Sequence, residues 1–381
     1  MSKNPVCRVC GETSPDRFYC RKGKYFGALC KLHEYEHIRN QAKSNPMSEA
    51  DKISRRLYHN MRYAERVSKA AESAWETFKL KAPSLDGKKV AFFKKFPTVD
   101  SLRMTLNEHI SGGETSGPEI LAKLRDFTEK DVLNPVGCKL LDQRFPNRLR
   151  SRTHGKMSWG EFLADENQLI RILNHKIDEG VYPTVSNMAI NIRFVVKTPS
   201  HFYPSLAAYL FKEFGKDKVI WDLFLGWGGR TLGSFAIDVK SYKGTDLQQD
   251  SVNGCLSLVQ DLRPGGNYGF ACSDFYAYFS ALDESPDLII AGPPFEGLEE
   301  YDGVPTVKGN SWVNSIVNPM TQLFKDKLSS GGVFLIHAQN TGVFRHLDMM
   351  RVAFSSSGGI IEKEIPCGTK SGQAILVVRK P

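Results

Sequence analysis

The chain has no stretch approaching eighteen consecutive apolar residues, and it opens on charged residues and cysteines rather than a hydrophobic signal core. Those absences exclude a membrane-spanning helix and a secretory leader, and they imply a soluble, cytoplasmic protein with no membrane partner. No internal repeat or low-complexity tract is present, so repeat arrays are excluded too. Cysteine is sparse: of 8 in 381 residues, Cys20, Cys138, Cys255, Cys272 and Cys367 stand alone, and close pairing occurs only near the start. That usage excludes a disulfide framework and fits a reducing compartment with one metal site.

Acidic residues are also in deficit, with 42 Asp and Glu against 51 Lys and Arg, a net charge of +9. The first 80 residues hold 16 basic against 9 acidic side chains, so most of the excess lies there. A polyanion, most simply nucleic acid, is the partner this asymmetry favours; a solvated helical surface is the plainer explanation.

The length exceeds one ordinary core, and 41% hydrophobic residues suffice for a normal interior, so a larger domain with one or two smaller ones is expected. Residues 1–44 are dense in Cys, Gly, Lys and aromatics. Cys7 and Cys10, then Cys30 and His33, form two pairs two residues apart across a loop of nineteen, a spacing that predicts a closed, structural zinc site. Cys20 or His37 can stand in for His33. Arg17, Arg21, Lys22 and Lys24 alternate with Phe18, Tyr19, Tyr25 and Phe26, a mixture suited to phosphate contact and base stacking, or to being the module's own core.

Residues 45–198 read as mostly helical and basic. Ser48 is placed to cap a helix of about eight turns carrying Arg55, Arg56, Arg62 and Arg66, and Ser158 opens a second helix through Ile177. From residue 199 the text alternates. "KVIWDLFLG", "SYKGTDL", "YGFACSD", "DLIIAG", "GGVFLIHA", "GIIEKEIPCG" and "QAILVVRK" read as strands, with helices between the earlier ones and a hairpin at the end. The expected fold is α/β: a Rossmann-like, doubly wound seven-stranded sheet, mostly parallel, preceded by the small zinc module and the helical region.

Ligands of such sheets sit beyond the strands' carboxyl ends. The first strand ends in Gly226, Gly228 and Gly229, which let the backbone approach a ligand. The second ends in Asp246, placed to accept from ribose hydroxyls; the third leads to Asp274 and Phe275, an acid and an aromatic for an adenine ring. Both acids can equally cap the helices that follow.

On these residues the region 199–381 resembles the class I S-adenosylmethionine-dependent methyltransferases, and among them the DNA amino-methyltransferases. "HFYPSLAAYLF" resembles the family's segment before the glycine loop, with Phe202 and Pro204 at the methionine end of the cofactor. "DLFLGWGG", including Asp222 and Phe224, resembles its cofactor loop, Asp246 its ribose acid and Asp274 its adenine acid. "GPPF" resembles its Asp/Asn/Ser-Pro-Pro-aromatic catalytic motif, so Gly292, Pro293, Pro294 and Phe295 become the catalytic candidates. The resemblance implies S-adenosylmethionine as cofactor and methylation of a flipped base's exocyclic amine, adenine N6 ahead of cytosine N4, on DNA, with RNA not excluded.

The departure is Gly292, which removes the side-chain acceptor such an amine requires. Glu296, Glu299 and Asp302 are nearby carboxylates, and a catalytically impaired DNA-binding protein is the alternative of another class. "AGPPFEG" also resembles the Gly-Pro-Pro-Cys motif of C5-cytosine methyltransferases, but Phe295 stands where their nucleophilic cysteine belongs, and carbon 5 needs that nucleophile on carbon 6. The zinc spacing is similar to modules ahead of DNA-acting domains in phage proteins, which implies a prokaryotic or phage-infected host cytosol.

Overall fold

In the computed structural model the described residues are 20–21, 24–25, 96, 99–111, 116–153, 155–178, 188, 192 and 194–381, apart from 297–298, 302, 305–308, 341–344 and 369–371. The chain divides into two compact units, Met1–Ala70 and Ala71–Pro381. In the first, Cys20–Arg21 pairs antiparallel with Lys24–Tyr25. Cys7, Cys10, Cys30, His33 and His37, and the basic helix expected after Asn45, lie outside the described residues. Among the described residues no group of three or more His, Cys, Asp or Glu is gathered to hold a metal ion. No described helix is long and apolar enough to cross a membrane.

The second unit is built on seven strands: β1 (Val219–Asp222), β2 (Ser241–Asp246), β3 (Tyr268–Cys272), β4 (Leu288–Ala291), β5 (Val333–Gln339), β6 (Ile360–Pro366) and β7 (Gln373–Arg379). Their order across the sheet is β6-β7-β5-β4-β1-β2-β3. Neighbours from β5 to β3 run parallel, and β7 lies antiparallel between β5 and β6. This is the Rossmann-like methyltransferase fold, in the α/β class expected.

The central strands read as unbroken apolar runs because both faces are covered. Successive side chains point to opposite faces, so Ile220, Leu288, Ile290, Leu335 and Ile375 enter one core while Trp221, Ile289, Phe334, Ile336 and Leu376 enter the other. At the edge, β6 exposes Glu362, Lys363 and Glu364, charges that discourage pairing with another chain.

The first of these cores does not stop at residue 199. Helices Gly117–Asp126, Cys138–Arg144 and Pro146–Arg150 lie before it, and Leu124, Leu141 and Phe145 pack with Leu206, Leu232 and Leu258. A separate cluster of Leu102, Leu106, Trp159, Phe162 and Leu169 forms further out. The single helix expected from Ser158 to Ile177 is two. Ser158 caps Trp159–Ala164 through a capping box with Glu161, Asp165 breaks the run in extended conformation, and its carboxylate accepts from Gln168 N–H as Glu166–Asp178 begins.

Phe145 is fully buried, and its ring fills the space that side chains at Gly228 and Gly254 would occupy. Phe145→Ala is therefore expected to cost about 3–5 kcal/mol and to shift one cooperative unfolding transition of the whole second unit, measured by tryptophan fluorescence in denaturant. Two separate transitions would mean that residues 117–150 fold apart from the sheet.

Candidate functional site

Strand order reverses between β1 and β4, and a cavity of about 250 Å³ opens at the carboxyl ends of the strands there. Eleven of the candidates named from the sequence line it: Phe202, Phe224, Gly226, Gly229, Asp246, Asp274, Phe275 and the run Gly292 to Phe295. Three do not. Pro204 is buried at the start of the helix Pro204–Phe214. Gly228, in the left-handed region at φ 69°, packs against Phe145 as N-cap of the helix Gly229–Ser234. Asp222 is fully buried below the cavity floor.

Asp222 is nevertheless the anchor of the site. Arg230 Nε donates to both its oxygens, at 3.1 and 3.0 Å, Tyr242 Oη donates at 2.7 Å and the Phe224 N–H at 3.2 Å. Burial pushes the Asp222 carboxyl up, and Arg230, Tyr242 and that N–H pull it back. The Arg230 guanidinium continues into the cavity, its Cζ 5.0 Å from the centroid of the Phe202 ring. Gly229 has no alternative: a Cβ there would lie 1.9 Å from the Phe202 carbonyl oxygen.

Asp246 uses each oxygen once, accepting from Gly226 N–H at 2.8 Å and Gln248 N–H at 2.9 Å. Burial pushes it up to about 6, against those two bonds. Asp274 caps the helix Phe275–Ser280 through Ala277 N–H at 2.9 Å while its residue borders the cavity. Phe275 is buried against Phe224, ring centroids 4.8 Å apart.

At the β4 end, Trp312 Nε1 donates to the Pro294 carbonyl at 2.9 Å. Phe295 lies edge-on to His337 at 5.4 Å and stacked on His346 at 6.2 Å. Burial, with Arg230 nearby, holds His337 down at about 3, so its imidazole is neutral. Two carboxylates of the following loop, Glu296 and Glu299, line the cavity. Glu299 is pushed up by burial and accepts from Tyr301 Oη; Tyr301 packs on Trp227 at 5.6 Å.

Sequence reasoning missed Arg230, Trp227, Tyr301, His201 and His337. The signals were an arginine directly after the glycine loop and a lone histidine inside the apolar run of β5. His201 is held by Asp142, Nε2 to Oδ1 2.8 Å, and the same oxygen receives Arg148 Nε at 2.6 Å.

No family model matches the chain. The sequence is similar to the 23S rRNA (uracil(747)-C(5))-methyltransferase RlmC of Vibrio vulnificus, 31% identical over 115 residues, 28% of this chain and 30% of that protein. It is similar to the protein of the same name from Shewanella oneidensis, 29% identical over 168 residues, 40% of this chain and 42% of that protein. The matches thus span under half the length of these relatives. Among solved structures it is similar to the ribosomal protein L11 methylase from Lactobacillus delbrueckii subsp. bulgaricus, at 16% identity and TM-score 0.35 over 47% of this chain and 79% of that one.

These matches overturn the expectation of a DNA amino-methyltransferase. The relatives are bacterial proteins named for RNA, for uracil and for a ring carbon. The geometry gives a physical reason as well. A Cβ built on Gly292 would lie 2.7 Å from Arg230 Nη1. The place where an amine-methylating site puts an acceptor is filled by a group that only donates.

A raised Asp246 pKa means that the carboxylate accepts fully at pH 7.5 and loses its charge as pH falls through about 6. The burial cost of that charge is relieved in the same window, so the empty fold does not weaken there. Affinity for a ribose-bearing ligand is expected to be about tenfold lower at pH 5 than at pH 7.5, measured calorimetrically, and Asp246→Asn is expected to abolish that pH dependence.

Proposed function

We propose that the chain is an S-adenosylmethionine-dependent methyltransferase acting on RNA, with carbon 5 of a uracil as the acceptor atom. The observation that carries the substrate is the sequence match to three rRNA uracil-C5 methyltransferases, set on a cavity whose walls suit the methyl donor. In this reading S-adenosylmethionine supplies an electrophilic methyl group. Gly226 and Gly229 keep the floor bare, Asp246 would accept from the ribose hydroxyls, and Phe224, Asp274 and Phe275 would border the adenine. Phe202, also on the lining, would meet the methionine end.

Carbon 5 attacks the methyl group once a nucleophile has added to carbon 6, and after transfer a base must remove the carbon 5 proton so that the nucleophile is expelled. Glu299 is the best-placed carboxylate: it borders the cavity, and burial raises its proton affinity toward the working pH. Pro293 and Pro294 fix the backbone beside the acceptor, and Phe295 gives the base an apolar wall. The +9 net charge suits a polyanionic substrate. The spacing of Cys7, Cys10, Cys30 and His33 supports a structural zinc in residues 1–44.

One observation favours a second acceptor atom in the same base. Cys138, Cys255, Cys272 and Cys367 are all absent from the cavity lining. Cys138 and Cys367 are pushed up to about 12 by burial, and Cys255 is raised further by the same cause. A ring nitrogen of uracil needs no thiolate on carbon 6 and has the same carbonyl neighbour.

Incubation with methyl-labelled S-adenosylmethionine and unmodified 23S rRNA transcript, followed by nucleoside analysis, is expected to place label in 5-methyluridine; 3-methyluridine would mark the second acceptor. Duplex DNA of equal length is expected to take none, and transfer to DNA alone overturns the proposal. Glu299→Gln is expected to lower kcat by about 10²–10⁴ with cofactor affinity unchanged.

A further inference from the structure

Resting on the RNA reading, we infer that Arg230 is the specificity-determining residue on the acceptor side: its Nη1, held in the space that a side chain at position 292 would fill, selects a base presenting a carbonyl oxygen beside the methylated atom and rejects one presenting an amine.

Three observations meet at this point. The first is steric. A Cβ on Gly292 would come within 2.7 Å of Arg230 Nη1, and its next contacts are Arg230 Cζ at 3.6 Å and His337 Cβ at 3.8 Å. Glycine at 292 is therefore the partner of the arginine rather than an empty position: the guanidinium occupies the space a side chain there would need.

The second is direction. Among the described residues the guanidinium hydrogen-bonds through Nε, to Asp222. That bond fixes the plane of the group while Nη1 lies beside Gly292 on the cavity lining and Phe202 supports the flat face. A guanidinium carries donors and no acceptor at any accessible pH.

The third is the company it keeps. His337 faces the same space, is bonded to Gln373 Nε2 at 2.9 Å, and is uncharged at neutral pH. The donor pattern beside Gly292 is thus set by Arg230. An exocyclic amine brought there would aim N–H at N–H. A 4-oxo pyrimidine instead offers an acceptor, and its oxygen flanks both carbon 5 and ring nitrogen 3, so the inference holds for either acceptor atom. Sites built to bond one polar group discriminate strongly against analogues that cannot complete the bond.

The same donors would also suit the carboxylate of the methyl donor, and the experiment separates these two sources of oxygen. Nucleoside analysis after transfer to 23S rRNA transcript is the first arm. Uridine-derived label is expected to exceed cytidine- and adenosine-derived label by at least about a hundredfold. Label on N4-methylcytidine or N6-methyladenosine at comparable levels overturns the inference while leaving RNA methylation intact. Absence of label from every RNA overturns the RNA reading and this inference with it.

The second arm uses Gly292→Ala, which pushes on Nη1 while leaving the Asp222 bond to Nε, and which circular dichroism can show to be folded. Transfer to uridine is expected to fall at least about thirtyfold with calorimetric affinity for S-adenosylmethionine within threefold of the parent. A matching loss of cofactor affinity would place Arg230 on the cofactor's carboxylate, and unchanged transfer would remove it from recognition; either overturns the inference.

Discussion

The ion pair between Asp222 and Arg230 is the constraint from which both the fold at the sheet's centre and the shape of the cavity follow. Two opposite charges taken out of water cost several kcal/mol each, and only dense hydrogen bonding offsets that cost. Here the carboxylate receives Arg230 Nε twice, Tyr242 Oη and the Phe224 N–H. Each donor comes from a different part of the site: the helix after the glycine loop, β2, and the loop itself. The end of β1 is thereby tied to its neighbour and to the turn that follows, and a cation is left projecting at the floor of the cavity.

The loop after β4 is held from several directions, and magnitudes show which of them matter. Arg152 bonds Glu300 and pairs in sheet register with it, as Thr153 does with Glu299. Both members of the ion pair are substantially exposed, so the charge contact contributes about 0–1 kcal/mol. Burial contributes more. Phe295 is almost enclosed between two histidines, Trp312 is 1% exposed and donates to Pro294, and Glu296 accepts from Gly309 N–H. Aromatic packing and satisfied buried polar groups set the loop, and the middle region steadies it through Arg152 and Thr153.

The strands were legible because each central one is apolar on both faces, and the acids at their ends because Asp246 and Asp274 fall where strand gives way to helix. The break at Asp165 was not, since an aspartate is tolerated inside an amphipathic period unless its side chain finds a helix start to cap. The membership of residues 117–150 in the main core was not legible either: Phe145 fits only because Gly228 and Gly254 lack side chains, a fact of tertiary contact. Gly292 was visible as an exception, but the group that occupies the place of its missing side chain comes from the helix after the glycine loop. Net charge could not separate RNA from DNA, because both present the same phosphates.

The remaining electrostatics of the cavity bear on turnover. Arg230 is matched by Asp222, and His337 adds no charge at neutral pH because burial and the neighbouring guanidinium both oppose its protonation. Against that balanced centre stand four carboxyl groups on the lining: Asp246, Asp274, Glu296 and Glu299. The cavity therefore has an excess of acid over base. A cationic methyl donor gains from such a field, whereas the neutral thioether left after transfer does not. Under the proposed activity the same residues that hold the donor release the product, and that asymmetry needs no moving part. It follows from keeping His337 neutral, which its own burial does first and the neighbouring Arg230 second.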